Sequence, residues 1–299
     1  MNKQLSENTV ATVGSFDGVH SGHRVLLQRV VDLASQHCLQ SVVITFWPHP
    51  RQVIDPPGTA PLLLNTLDER INMLKRTGVE DVIVLPFDTT FSQMHPTVFI
   101  VEIILKKLNA KYMVVGQDHH FGKERSGNVQ QLSDFFAKSS LHIDVVNLKK
   151  LNNKISSSSI RKALLRGDLA LANEMLGYNY MISGKVITGN QLGRSIGFPT
   201  ANIETPEYKL LPKEGVYRVI VKYKTETHTG MLYIGKRPVS KQNDETTHVE
   251  VNIFDFDRQI YGQELIVELT HRIRDNINFD NVTQLSEQLL RDKQTVLEI

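Results

Sequence analysis

The chain has 299 residues, 40% of them hydrophobic and 22% charged, with a formal net charge of +2 and no basic tract. This suits a globular protein of two domains and gives no reason to expect nucleic acid as a partner. The N-terminus Met1-Asn2-Lys3-Gln4 is polar, no apolar run approaches the ~18 residues of a membrane span, and the lone Cys38 excludes an internal disulfide, so a cytoplasmic protein with no membrane partner is expected.

Thr9–Val13 reads as a short apolar strand, and Arg24–Gln36 as the helix that follows it, with Leu27, Val30, Val31 and Ala34 at helical spacing. The junction between them is Gly14-Ser15-Phe16-Asp17-Gly18-Val19-His20-Ser21-Gly22-His23. Glycines there let the backbone approach a ligand, and a helix N-terminus favours anions. His20 and His23, three residues apart around Gly22, can both donate hydrogen bonds to a phosphate at that spot. Attack on a nucleoside triphosphate is the chemistry this suits, since positioning and charge neutralisation do most of the work. The plainer alternative, a turn with two surface histidines, leaves Phe16-Asp17-Gly18 unexplained.

Further strand-like runs follow at Ser41–Phe46, Asp81–Pro86, Lys111–Gly116 and His142–Leu148. A helix is predicted from the capping box Thr66-x-x-Glu69 to Gly78, with Leu67, Ile71 and Leu74 on one face, and another over Thr97–Leu108 after Pro96. This alternation predicts a doubly wound parallel α/β domain, whose ligands bind at strand carboxyl ends. Three clusters fall there: the His20/His23 turn, Phe46-Trp47-Pro48-His49-Pro50, and Gly116-Gln117-Asp118-His119-His120-Phe121-Gly122. No His-Glu-x-x-His or paired Cys spacing accompanies His49, His119 and His120, so structural zinc is not expected. Ser156–Ser159 runs into Ile160-Arg161-Lys162 and a helix through Leu165. It reads either as a linker or as hydroxyls, N–H groups and a guanidinium offered to a triphosphate.

Beyond residue 180 the period shifts toward two, over Val216–Lys224, His248–Phe254 and Glu264–Thr270, with Gly- and Pro-rich turns between. A small antiparallel barrel is the natural reading. A last helix, Asn281–Asp292, carries Val282, Leu285 and Leu289 on one side. The domains are therefore expected at 1–178 and 179–299.

The motifs together resemble the prokaryotic two-domain FAD synthetases, which join an FMN adenylyltransferase to a riboflavin kinase. In the first half the resemblance rests on Gly14–His23, Thr45–Pro50, Gly116–Gly122 and Ser156–Arg161. In the second it rests on Gly193-Arg194-Ser195-Ile196-Gly197-Phe198-Pro199-Thr200-Ala201-Asn202, Gly215-Val216-Tyr217, and Ile253–Asp257 with Tyr261-Gly262. The resemblance implies that His20 and His23 stabilise the ATP phosphates while the FMN phosphate attacks the α-phosphorus and pyrophosphate leaves, with Arg161 as a third catalytic group. Gly14, Phe16, Asp17, Gly22, Asp118, Ser157 and Ser158 would surround the nucleotide, and Phe46, Pro48, His49, Pro50 and Phe121 the flavin. No enzyme nucleophile is needed; orientation and electrostatics suffice, with Mg²⁺ sharing the charge and ATP as co-substrate.

For the second half the resemblance implies Gly193, Arg194 and Gly197 at the ATP, Thr200 and Asn202 around Mg²⁺–ATP, Glu250 as the base for the riboflavin 5′-hydroxyl, and Arg274 in a flavin lid. Read from alternation alone, Glu250 is equally a solvent-facing strand carboxylate. The departures are His119 for the usual Phe, Tyr233 for Asn, Val239 for Thr, Asn252 for His, and Asn276 and Asn278 where the lid carries charges. The implied function is adenylyl transfer from ATP to FMN together with riboflavin phosphorylation. The alternatives are a single-function adenylyltransferase whose kinase half is inactive or a flavin sensor, and a non-enzymatic flavin-binding regulator. FMN, ATP and riboflavin are the expected partners, and a homo-oligomer is left open.

Overall fold

The computed structural model describes residues 8–117, 140–147, 155–189, 192–236 and 247–299. Asp118, Phe121 and His119, expected near the ligands, and Val239 lie outside the described residues. The chain forms two compact units, residues 1–157 and 158–299. Among the described residues no helix is long and apolar enough to cross a membrane.

The first unit is built on a five-stranded parallel sheet of order β3-β2-β1-β4-β5, made of β1 Thr9–Val13, β2 Gln40–Trp47, β3 Asp81–Pro86, β4 Ala110–Gly116 and β5 His142–Val146. Every residue of β1 is buried, as expected of a central parallel strand covered on both faces. Its two threonines are satisfied there, since Thr9 Oγ1 donates to the Leu108 carbonyl at 2.9 Å and Thr12 Oγ1 to the Val114 carbonyl at 2.8 Å. One side of the sheet packs Ala11, Val13, Val42, Ile44, Met113 and Val115 against Phe99, Ile100, Ile104 and Leu108.

Strand order reverses at β1: β2 and β3 extend one way, β4 and β5 the other. That is the topological switch point, where such sheets open a crevice at their carboxyl ends. The helix Ser21–His37 starts there, three residues earlier than the apolar spacing alone predicts. The segment expected as a helix over Thr97–Leu108 begins as one at Pro96–Phe99 but continues as a π-helix over Ile100–Lys107, closed by the Leu108 N–H on the Ile103 carbonyl at 3.0 Å. Val101, Ile103 and Leu105 pack on the same core as Ile100 and Ile104, so an almost uninterrupted apolar run meets the sheet through wider turns.

The helix Ser157–Arg166 begins at the last residue of the first unit; the second unit carries the rest of it, the helix Leu169–Leu176 and a closed barrel of order β10-β7-β6-β11-β8-β9. Its strands are β6 Met181–Ile187, β7 Ala201–Ile203, β8 Gly215–Tyr223, β9 Glu226–Gly235, β10 His248–Ile253 and β11 Glu264–Arg274. Along β8, β9 and β10 the alternation sends Tyr217, Leu232, Ile234, Val249 and Val251 into the fully buried interior. The opposite set lies on the outer face, where Val216, Met231 and Tyr233 pack with Phe198, Leu289 and Val296. Leu289 and Val296 belong to the last helix, Val282–Glu298, capped by Asn281 and reaching six residues beyond the predicted Asp292 end.

Candidate active sites

The turn after β1 is folded against steric preference. The Val19 N–H donates to the Phe16 carbonyl at 3.0 Å, closing a four-residue turn whose third residue, Gly18, has φ 85°. Phe16 at φ 48° and the β-branched Val19 at φ 33° are also left-handed, a strained conformation that the surroundings must hold. Asp17 does much of that holding. It is 2% exposed, and its Oδ1 accepts from the backbone N–H groups of Leu64 (2.9 Å) and Asn65 (3.3 Å), while its carbonyl accepts from Ser157 Oγ at 2.8 Å. Its Oδ1 is thus spent on the chain.

A second holder is Arg70, which sequence reading missed. It is 1% exposed and donates to the Ser15 carbonyl at 2.8 Å and the Phe46 carbonyl at 2.9 Å, joining the turn after β1 to the end of β2. Thr45 Oγ1 donates to the same Ser15 carbonyl. The available signal was a cation at position 70, inside the stripe of Leu67, Ile71 and Leu74.

His20 caps the helix it precedes: its Nδ1 accepts from the His23 N–H at 3.3 Å. The two imidazoles stack with centroids 3.6 Å apart and 15° between planes, and Phe16 meets His23 edge-on at 5.2 Å. Glycine eases this packing, because a Cβ at Gly22 would stand 3.3 Å from the His20 ring and a Cβ at Gly14 3.1 Å from the Phe16 ring, each a tight contact. Burial pushes His20 down to about 4 and, with the neighbouring His20, pushes His23 well below its usual range. Both rings are therefore neutral at pH 7. His23 Nδ1 is enclosed and has no hydrogen-bond partner among the described residues. A buried polar atom without a partner costs stability unless something else satisfies it.

The Phe46–Pro50 segment begins with the last two residues of β2 and runs past its end, with a cis peptide at Trp47-Pro48. Phe46 packs with Phe87 and Phe91, and Pro48 is exposed. His49 is buried and caps the short helix Pro50–Ile54 by accepting from the Arg51 N–H at 3.2 Å. Ser157 opens its helix and Ser158, next along it, is exposed. Arg161 stands one turn further on.

In the barrel, register assembles what the sequence scatters. Asn202 on β7 lies opposite Glu250 on β10, Glu250 lies opposite Tyr233 on β9, Tyr233 lies opposite Val216 on β8, and Val216 pairs across a bulge with Arg274 on β11. One row on the outer face thus runs from Asn202 through Glu250 to Arg274. Thr200 Oγ1 donates to Glu250 Oε2 at 3.1 Å, so this carboxylate is not merely solvated. Gly189 makes room for Asn202, because a Cβ there would fall 2.2 Å from Asn202 Nδ2. Gly193 is pressed equally close to the Phe198 carbonyl, and Gly197 takes φ 82°; Arg194 beside them is exposed.

The departures from the expected pattern are also placed. Asn252 donates to the Pro199 carbonyl at 2.7 Å, and Asn276 donates to the Ile234 carbonyl and to Glu214 Oε2, each at 3.3 Å. The Tyr233 hydroxyl donates to the Lys236 carbonyl, and burial, with the Glu214 and Glu250 carboxylates, pushes the phenol up to about 12. Arg274 is engaged by Asp292 of the last helix, with Nε–Oδ1 at 2.9 Å and Nη2–Oδ2 at 2.6 Å. Gln288 Nε2 adds a further bond to that carboxylate at 2.9 Å.

Residues 2–160 match the family model described as FAD synthetase, and residues 176–299 the one described as riboflavin kinase. Curated relatives named bifunctional riboflavin kinase/FMN adenylyltransferase are 37% identical in Listeria monocytogenes, over 96% of this chain and 91% of that protein, and 38% identical in Haemophilus influenzae, over 98% and 94%. The crystal structure described as a macrolide-efflux protein from Streptococcus pneumoniae is 33% identical, with a TM-score of 0.86 over 100% of this chain and 98% of that one. The chain therefore belongs to the FAD synthetase family, with a riboflavin kinase family domain as its second part.

Proposed function

We infer that the chain makes FAD in two steps: ATP-dependent phosphorylation of riboflavin to FMN in residues 179–299, and adenylyl transfer from ATP to FMN, releasing pyrophosphate, in residues 1–178. The observation that carries the first-domain reading is the neutral, stacked His20/His23 pair at the switch point. Neutral imidazoles donate N–H groups to phosphate oxygens without competing for a proton. They also gain charge as the anion enters, because an anion favours the imidazolium. The FMN phosphate is itself the nucleophile, so the residues need only align it with the α-phosphorus and hold the departing pyrophosphate. His20 and His23 serve that role in this reading, and Ser157, bonded to the turn through the Asp17 carbonyl, grips the triphosphate with them.

In the barrel, Glu250 takes the proton of the riboflavin 5′-hydroxyl as the terminal phosphoryl group of ATP is transferred to that oxygen. The hydrogen bond from Thr200 keeps its carboxylate aimed at the row. The donors present fit Mg²⁺: the hydroxyl of Thr200 and the amide oxygen of Asn202 are hard oxygen ligands, few in number, which leave positions for phosphates. When bound, the ion neutralises charge on the transferred group. The lone cysteine supports a cytoplasmic setting.

The test offers riboflavin or FMN separately with Mg²⁺–ATP and resolves FMN and FAD by chromatography. FAD from both substrates is expected. FAD from FMN alone means an inactive kinase half, and no FAD from either overturns the reading. Glu250→Gln is expected to abolish FMN formation while sparing FAD formation from supplied FMN.

A further inference from the structure

The outer-face row has a direction. Asn202 and the Thr200 hydroxyl stand at one end and Arg274 at the other, with Glu250 next to Asn202 and Tyr233 next to Glu250. Directly opposed residues in antiparallel strands have Cβ atoms roughly 5 Å apart, so Tyr233 is the immediate neighbour of Glu250 on the side away from Asn202. A nucleotide held at Thr200 and Asn202 occupies one flank of Glu250. An alcohol whose terminal hydroxyl is at Glu250 must extend from the other flank. Along β10 the way is closed at Asn252, which is 7% exposed and has its amide bonded to Pro199.

Tyr233 is also held in place. Its hydroxyl is tied to the Lys236 carbonyl, its strand partner is Val216, and its ring packs against the cluster of Phe198, Met231, Phe254 and Val296 while remaining partly open. A fixed, half-open aromatic ring beside the Glu250 carboxylate offers a flat apolar surface and an oxygen already in use as a donor.

We propose that Tyr233 is a specificity-determining substrate contact of the barrel site, its ring meeting the ribityl chain and near edge of the flavin of a riboflavin molecule whose 5′-hydroxyl lies at Glu250. The inference rests on the riboflavin kinase reading. It assigns the bulky residue a place in binding rather than in obstruction: the ring selects an acceptor with a flat aromatic head beyond its alcohol chain.

The experiment titrates riboflavin into the full chain with Mg²⁺–ADP, reading affinity by equilibrium dialysis and flavin emission by fluorescence, for wild type, Tyr233→Phe and Tyr233→Leu. Circular dichroism checks that each variant is folded. A phenol in contact with an excited flavin quenches it by electron donation, and a phenyl ring does not. The expected result is quenched emission in the wild type and restored emission in Tyr233→Phe at nearly unchanged affinity. Tyr233→Leu should bind about tenfold more weakly, from lost ring–ring contact, with KM for riboflavin rising by a similar factor and kcat changing less. Flavin held in the first unit contributes equally to all three proteins and cancels. Equal affinity and equal emission in all three overturns the contact. Tighter binding by Tyr233→Leu also overturns it, identifying the ring as a block. No saturable riboflavin binding by any of them, wild type included, overturns the kinase reading and the contact with it.

Discussion

The His20 ring gives a measurable prediction about acid. It is 7% exposed, and burial lowers it from 6.5 to about 4, so the folded protein holds the ring neutral where the unfolded chain protonates it. Between those two values the unfolded state binds the extra proton, so the contribution of His20 to stability is complete above pH 6.5 and is lost as pH falls toward 4. A separation of that size corresponds to about 3 kcal/mol in full, of which about 2 kcal/mol disappears between pH 7 and pH 5. His20→Asn removes the titration while keeping a side-chain acceptor for the His23 N–H. Urea denaturation of wild type and variant at both pH values isolates the term: the wild type should lose about 2 kcal/mol more than the variant over that interval. In parallel, the His20 ring proton followed by NMR should titrate near 4 in the free protein and at a higher pH with pyrophosphate present. Titration between 6 and 7 in the free protein, or identical acid losses in the two proteins, would refute the argument that the histidine pair is held neutral by burial.

Three further outcomes are expected. Asp292→Ala strands the Arg274 guanidinium under the last helix and should cost about 3–5 kcal/mol in the second unit's unfolding free energy; a loss below about 1 kcal/mol would show that the pair is solvated. Asp17→Ala leaves the Leu64 and Asn65 N–H groups without their acceptor, at about 1–3 kcal/mol each, and should lower FAD formation from FMN by releasing the histidine turn. An unchanged rate in that variant would mean the turn is held without it. Gly189→Ala drives a methyl into the Asn202 amide and should raise the KM for ATP in riboflavin phosphorylation, leaving FAD formation from FMN intact; steady-state kinetics on each substrate decides it.

Much of the first unit was legible because its signals are local. The capping box at Thr66 and Glu69 forms as written, with reciprocal bonds of 2.9 and 3.2 Å, and the apolar runs become the parallel strands. The histidine turn was visible as a junction of strand, glycine and helix. What holds it was not, because the bonds of Arg70 to Ser15 and Phe46 span 55 and 24 residues and no period encodes them. The barrel was harder to read. β7 is three residues long and β9 mixes polar and apolar positions, so neither announces itself by alternation, and the row from Asn202 to Arg274 exists only once the strands are in register. The pairing of Arg274 with Asp292 of the last helix spans 18 residues and no period encodes it either.

The barrel's unusual residues differ in what they do to the site, and their hydrogen bonds separate them. Asn252 spends its amide on the Pro199 carbonyl, immediately before Thr200, so it steadies the segment that carries the hydroxyl bonded to Glu250. Asn276 spends its amide on Ile234 and Glu214, tying the chain after β11 to the end of β9. Both amides donate to the framework, and a donor at either place serves the same end. Tyr233 alone adds a large ring on the strand position facing Glu250, and its hydroxyl bond turns inward to its own strand end, leaving the ring as its only offering to a substrate. Exchanging either asparagine for another donor should therefore change riboflavin phosphorylation little, whereas removing the Tyr233 ring should raise the KM for riboflavin about tenfold.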